Sequence, residues 1–146
     1  SVARIIYVSE SLQEVVIKIP LNYKNRNYVG SIYGGSMLSA TDPIYMTQLM
    51  NILGNDFVVW DKATTVLYKR PAKEQVYVKF IFSDEEIIQI KKEVAFKNEI
   101  DLIKKVNIVN RSDDVFAEVT KTIYISQKSY YKQKCYLYKT CLHLFA

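Results

Sequence analysis

Between Gln13 and Ile19 the chain alternates, with Val15, Ile17 and Ile19 falling on one side and Glu14, Val16 and Lys18 on the other. A period of two is the signature of a strand with one face in a core. Residues 3–9, rich in β-branched and aromatic side chains, predict a companion strand across a turn at Ser9–Leu12, and Pro20 stops the second strand. The polar run from Asn22 to Asn27 reads as a loop. From about Gly35 to Leu53 the period changes to that of a helix. Met37, Leu38, Ile44, Tyr45, Met46, Leu49, Met50 and Leu53 leave it apolar almost all round, so it must be covered on most sides. Gly54-Asn55 predicts its end.

Strand-type composition returns over Phe57–Arg70 and Val76–Phe82, separated by Pro71-Ala72-Lys73-Glu74, and the two are expected to pair as an antiparallel hairpin. Acidic residues at Asp84–Glu86 and lysines at 91, 92 and 97 suit the two ends of a helix over 83–97. Strands are predicted at 100–109 and 115–125, with a turn at Asn110–Asp114. The order is two strands, a long helix, then four strands with a helix inserted. That pattern predicts an α+β fold in which an antiparallel β-sheet wraps a long central helix. There is no internal repeat and no low-complexity linker.

At 146 residues the chain is one domain's worth of sequence. With 49% hydrophobic and 24% charged residues it reads as globular, not disordered. No apolar run approaches the roughly 20 residues of a membrane-spanning helix, and Ser1–Ile5 does not read as a signal peptide, so the expected location is cytoplasmic. The net charge of +5 suits an anionic partner such as a nucleotide-bearing acyl carrier, although the lysines are scattered. No nucleic-acid-binding motif is present, which argues against DNA or RNA as a partner. Cys135 and Cys141 lie near the C-terminus and read as free thiols. The only histidine, His143, is nearby, and the spacing of these three matches no standard zinc pattern, so no metal site is expected.

Chemistry is concentrated between Asn27 and Asp42, which holds three of the chain's four glycines, Gly30, Gly34 and Gly35. Gly34-Gly35 falls at a helix N-terminus, where exposed N–H groups favour developing negative charge and a missing side chain admits a close approach. Asp42 precedes Pro43, which would remove the hydrogen bond to the Ser39 carbonyl. Two outcomes stand open: a kink that bares polar groups around Asp42, or a second helix with Asp42 as N-cap and proline at its first position. Asp61-Lys62 is a second anomaly, two charges inside an apolar strand, of which alternation lets only one face the core.

The arrangement Asn27-x-x-Gly30-x-x-Tyr33-Gly34-Gly35, with Asp42 seven residues on, resembles the active-site signature of hotdog-fold acyl-CoA thioesterases near the phenylacetic-acid-pathway branch. The longer run through Asp42-Pro43 and Val59-Trp60-Asp61-Lys62 is similar to the DUF4442 group within that superfamily. The resemblance spans about residues 1–128 and leaves 129–146 as a separate tail. It implies a hotdog fold, a homodimer or a tetramer built from it, and active sites shared by two subunits. By the same resemblance the Gly34 amide polarises the thioester carbonyl, Asp42 is general base or nucleophile, and Asn27 orients water or the acyl group. Gly35 lines the substrate site. Tyr33 stands where many relatives carry histidine and is expected either to donate a hydrogen bond or to pack. Asp61 or Lys62 would supply the polar residue that related enzymes place on the strand after the helix.

The function this implies is hydrolysis of an acyl-CoA or related acyl thioester, with no cofactor beyond the coenzyme A moiety of the substrate itself. Two alternatives accompany it. One is a non-catalytic acyl-CoA-binding module. The other is an acyl-carrier dehydratase, which would need His143 brought to the pocket. The basic, aromatic tail is open to three readings: a surface-binding element, an added strand or short helix over the sheet, or a chain end without function.

Overall fold

The structure, a computed structural model, describes residues 2–144, with side chains through Tyr138. Its elements in order are β1 (Arg4–Val8), β2 (Glu14–Ile19), α1 (Gly34–Thr41), α2 (Ile44–Leu53), β3 (Phe57–Tyr68), β4 (Val76–Ile81), α3 (Asp84–Lys97), β5 (Glu99–Val109), β6 (Val115–Gln127) and α4 (Lys128–Leu144). The six strands make one sheet in the order β1-β2-β4-β5-β6-β3, and every pairing is antiparallel. The sheet wraps the helical run α1–α2, as the hotdog architecture requires.

Alternation along the strands builds the core. Ile17 and Ile19 from β2, Val76, Val78 and Phe80 from β4, and Val119, Ile123 and Ile125 from β6 are buried together with Met37 and Leu49 of the helical run. Tyr45 sets its ring edge-on to Phe80 and Phe82, with centroids 4.9 and 5.2 Å away. Each large side chain buried this way contributes about 1.5–3 kcal/mol. One side of the run stays open, since Leu38 and Met50 are exposed.

Of the two outcomes open at Pro43, the second helix is the one observed, although with different caps: Asp42, with helical dihedrals (φ −57°, ψ −57°), is the C-cap of α1, and the N-cap of α2 is Pro43. The hairpin expectation is corrected, because β3 does not pair with β4. It lies at the edge of the sheet, paired along its length with β6, while β4 sits between β2 and β5. The connection between them is no tight turn: Ala72 is buried in it and its carbonyl accepts the Ile32 N–H at 2.8 Å, tying the loop to the glycine segment. Asp61-Lys62 is therefore on an edge strand, where a lysine reaches water cheaply.

Helix α3 begins with a full capping box, Ser83 Oγ accepting from the Glu86 N–H at 3.1 Å and Glu86 Oε2 from the Ser83 N–H at 3.0 Å. The tail forms helix α4, whose Tyr131 meets the ring of Trp60 edge-on at 5.5 Å and whose Lys134 pairs with Glu99 at 2.7 Å. The tail is thus a helix that packs against β3 and β6. Among the described residues no helix is long and apolar enough to cross a membrane. No cluster of three metal-ligating groups occurs among them either, and the side chains of Cys141 and His143 lie outside the described set.

Candidate active site

The glycine segment is built on asparagine side chains. Asn27 Oδ1 accepts the backbone N–H groups of Val29 (3.1 Å) and Ser31 (3.0 Å), and its Nδ2 donates to Ser31 Oγ at 2.9 Å. That turn holds Gly30 at φ +81°, a conformation a β-carbon disfavours. The Tyr33 N–H then donates to the Asn25 carbonyl at 2.7 Å, which fixes where α1 starts.

At that start the first amides to find acceptors are those of Ser36 and Met37, both on the Tyr33 carbonyl. The N–H groups of Gly34 and Gly35 have no acceptor among the described residues. They carry the positive end of the helix dipole. A β-carbon on Gly34 would lie 2.7 Å from the tip of the Tyr68 ring, and one on Gly35 would run into the ring of Tyr33, so the two glycines let both tyrosines close over the helix end. Burial first, and the neighbouring Tyr33 second, push the Tyr68 phenol above its ordinary pKa. Tyr33 itself is 61% exposed and packs on Gly35. Asn27, Gly34, Met37, Tyr68 and Pro71 line a cavity of about 460 Å³ beside these amides.

Asp42 is at the other end of α1. An eight-residue helix is about 12 Å long, so within one chain the Gly34 amide and the Asp42 carboxylate cannot act on the same carbonyl. What Asp42 meets instead is Lys121 of β6. The Lys121 ammonium donates to Asp42 Oδ1 at 2.9 Å, Asp61 Oδ2 at 3.0 Å and Thr64 Oγ1 at 3.0 Å. Lys121 is 0% exposed and Asp61 17%, whereas the Asp42 side chain is 57% exposed.

A bulge makes this cluster possible. The β3–β6 register slips between Asp61 and Ala63, so Asp61 stands opposite Ile123 and Thr64 opposite Lys121. Residues three apart on a regular strand point to opposite faces; the extra residue lets Asp61 and Thr64 share the inner one. Burial is the largest influence on the Asp61 carboxyl and raises its pKa, against the opposing pull of the Lys121 ammonium, while Asp42 adds to the rise. Asp61 Oδ1 is buried and has no partner among the described residues. Lys62 goes the other way and pairs with Asp101 at 2.6 Å on the outer face, away from Asp42.

The structure thus brings Asp42 together with Asp61, and Asn27 together with Gly34, and it separates Lys62 from both groups. Lys121 was missed in the sequence. Its signal was visible nonetheless, as a lysine in the inward row Val119, Lys121, Ile123, Ile125 of an otherwise apolar strand face.

Solved structures with this architecture are similar over most of the chain. A Pseudomonas aeruginosa protein of unknown function, named a probable thioesterase, superposes with TM-score 0.74 at 20% identity, covering 86% of this chain and 83% of that one. A Chlorobaculum tepidum protein of unknown function gives 0.70 at 12%, covering 87% and 83%. A Haemophilus influenzae thioesterase gives 0.60 at 10%, covering 86% and 78%. Identities this low establish a shared fold. No curated protein matches the sequence. Residues 3–125 match the family described as a domain of unknown function, DUF4442, and the chain belongs to that family.

Proposed function

We propose that the protein is a thioester hydrolase acting on an acyl-CoA or a related acyl thioester, and that it works as a homodimer. The observation that carries this reading is the pairing of an exposed carboxylate, Asp42, with acceptor-free amides at Gly34-Gly35 beside a cavity, in a fold shared with proteins named thioesterases. Their separation along α1 favours two copies, with Gly34 of one facing Asp42 of the other.

In this reading the thioester carbonyl lies against the Gly34 N–H. Asp42 takes a proton from water as the water oxygen bonds to the carbonyl carbon, and the carbonyl electrons move to an oxyanion held by the helix-end amide. Collapse breaks the carbon–sulfur bond, and the proton passes to the departing thiolate. A carboxylic acid and a free thiol result, and the chemistry balances with water alone, without a cofactor. Asn27 has one N–H left beyond its own turn with which to hold the acyl oxygen or the water. Tyr68 lines the cavity, and Tyr33 packs on Gly35 beside it.

That near-complete use of Asn27 inside its turn favours one second reading, a binding module that holds acyl-CoA without turnover. Thiol release from a panel of acyl-CoAs of graded chain length separates the two. A hydrolase releases thiol with a preferred chain length and loses it in Asp42→Asn, with a smaller loss in Asn27→Ala. Binding of a long-chain acyl-CoA with no thiol release by the wild type would establish the module instead.

A further inference from the structure

Lys121 is enclosed on every side, yet it touches Asp42, the more exposed of its two carboxylate partners. All three of its N–H donors are used, on Asp42, Asp61 and Thr64. Neutralising one buried ammonium calls for one carboxylate, and Asp61, itself mostly buried, supplies it. Asp42 is a second one. Exposed as it is, it would be well solvated without Lys121, so the contact adds little to stability. What it does is fix geometry: Oδ1 is tethered, and Oδ2 has no partner among the described residues.

The second carboxylate also makes sense in turnover. A general base becomes neutral when it accepts the proton from water. A buried lysine paired with that base alone would then be left without a counter-charge, a costly state. With Asp61 in place the ammonium stays paired through the whole cycle. The β3 bulge that brings Asp61 and Thr64 to the same face is what provides this arrangement.

We infer that Lys121 is a positioning residue for the hydrolysis, clamping Asp42 Oδ1 so that Oδ2 presents to water, with Asp61 and Thr64 holding the ammonium in place. This rests on the thioesterase reading above. Two variants test it: Lys121→Gln, and the charge-neutral double variant Lys121→Met with Asp61→Asn, which leaves no unpaired buried charge should the single variant fail to fold. Each is followed by thermal unfolding and by steady-state kinetics on the acyl-CoA that the wild type hydrolyses fastest.

The expected result is a kcat reduced by about tenfold or more with KM within twofold of wild type, because a misplaced base slows chemistry without weakening binding. A folded double variant that keeps wild-type kcat overturns the positioning role and leaves the thioesterase reading standing. A wild type that releases no thiol overturns the thioesterase reading. The clamp is then judged from the Asp42 carboxyl ¹³C resonance, assigned with Asp42→Asn: movement of that resonance in the double variant supports the tether, and an unmoved resonance overturns it.

Discussion

Lys104 and Lys121 stand directly opposite one another across the β5–β6 ladder, yet the two lysines are held in different ways. Lys104, with a side chain 12% exposed, donates to Glu86 Oε1 at 2.7 Å and to the Ile81 carbonyl at 3.0 Å, and its ammonium lies 4.6 Å from the centre of the Phe82 ring. Its carboxylate partner is locked in place by the capping box of α3. Lys121 has two carboxylates, and one of them sits at the break between two helices, open to solvent. Like charges opposite each other repel, and here the two side chains diverge to separate anchors. The first arrangement closes a gap in the fold. The second leaves Asp42 Oδ2 without a partner among the described residues, as the proposed general base requires.

Substitutions at the two lysine sites should therefore separate activity from stability. The largest effect is expected for Asp42→Asn: thiol release falls by about 10²–10⁴-fold, the usual contribution of a general base, while the melting temperature changes little because asparagine can still accept from Lys121. Lys104→Met should leave kcat within about twofold, since Lys104 takes no part in positioning the base. Equal loss of activity in both variants would erase the distinction. Next in size is Gly34→Pro. Proline is tolerated at the first position of a helix but carries no N–H, so the proposed oxyanion donor is deleted while α1 persists; because its β-carbon also displaces the tip of the Tyr68 ring, Gly34→Ala, which adds that carbon and keeps the N–H, is the control, and kcat should drop by about 10²–10³-fold relative to it with the far-ultraviolet circular dichroism unchanged. A helix that survives with full activity would move the donor elsewhere.

Smaller effects test the structural lysine. Lys104→Met removes a hydrogen bond to a charged group and should lower unfolding stability by about 1.5–3 kcal/mol in urea. The pH dependence of that stability should differ between the two sites. For Glu86, burial is the largest influence and pushes its pKa up, but the hydrogen bonds from Lys104 and the Ser83 amide outweigh it, and the net shift is down. Its folded value therefore lies below the unfolded one: the stabilisation is complete above the ordinary glutamate range and is lost as pH falls through the folded value. Asp61 is shifted the other way, so the folded state binds its proton more tightly than the unfolded chain, and acidification through its raised value adds stability. Urea midpoints measured from neutral to acidic pH should then show Glu86→Gln losing acid sensitivity and Asp61→Asn gaining it. Matching profiles in the two variants would mean that the opposite shifts are absent.

Elements whose signal is local were legible in the sequence. The period of two in β2, the acidic start of α3, the end of α2 at Gly54 and the glycine pair at the start of α1 are each decided within a few residues by sterics and nearby hydrogen bonds. The disruption at Pro43 was legible for the same reason, since a missing N–H acts on the adjacent turn. Its capping was not: Asp42 ends α1 instead of starting α2, and its carboxylate meets a lysine 79 residues away.

Pairing of distant strands carries no such local mark. Phe57–Tyr68 and Val76–Ile81 could each have served as the other's neighbour by composition, and only the assembled sheet chose β6 for the first and put β2 and β5 beside the second. The bulge that turns Asp61 and Thr64 to one face, and the fate of Lys62 on the other, followed from that choice. The sequence by itself determined most of the elements and the glycine-started helix that ends at Asp42, because each depends on neighbours along the chain. Only tertiary structure decided that Lys121 gathers Asp42, Asp61 and Thr64, because a buried charge takes its partners from whatever the fold brings within hydrogen-bonding distance.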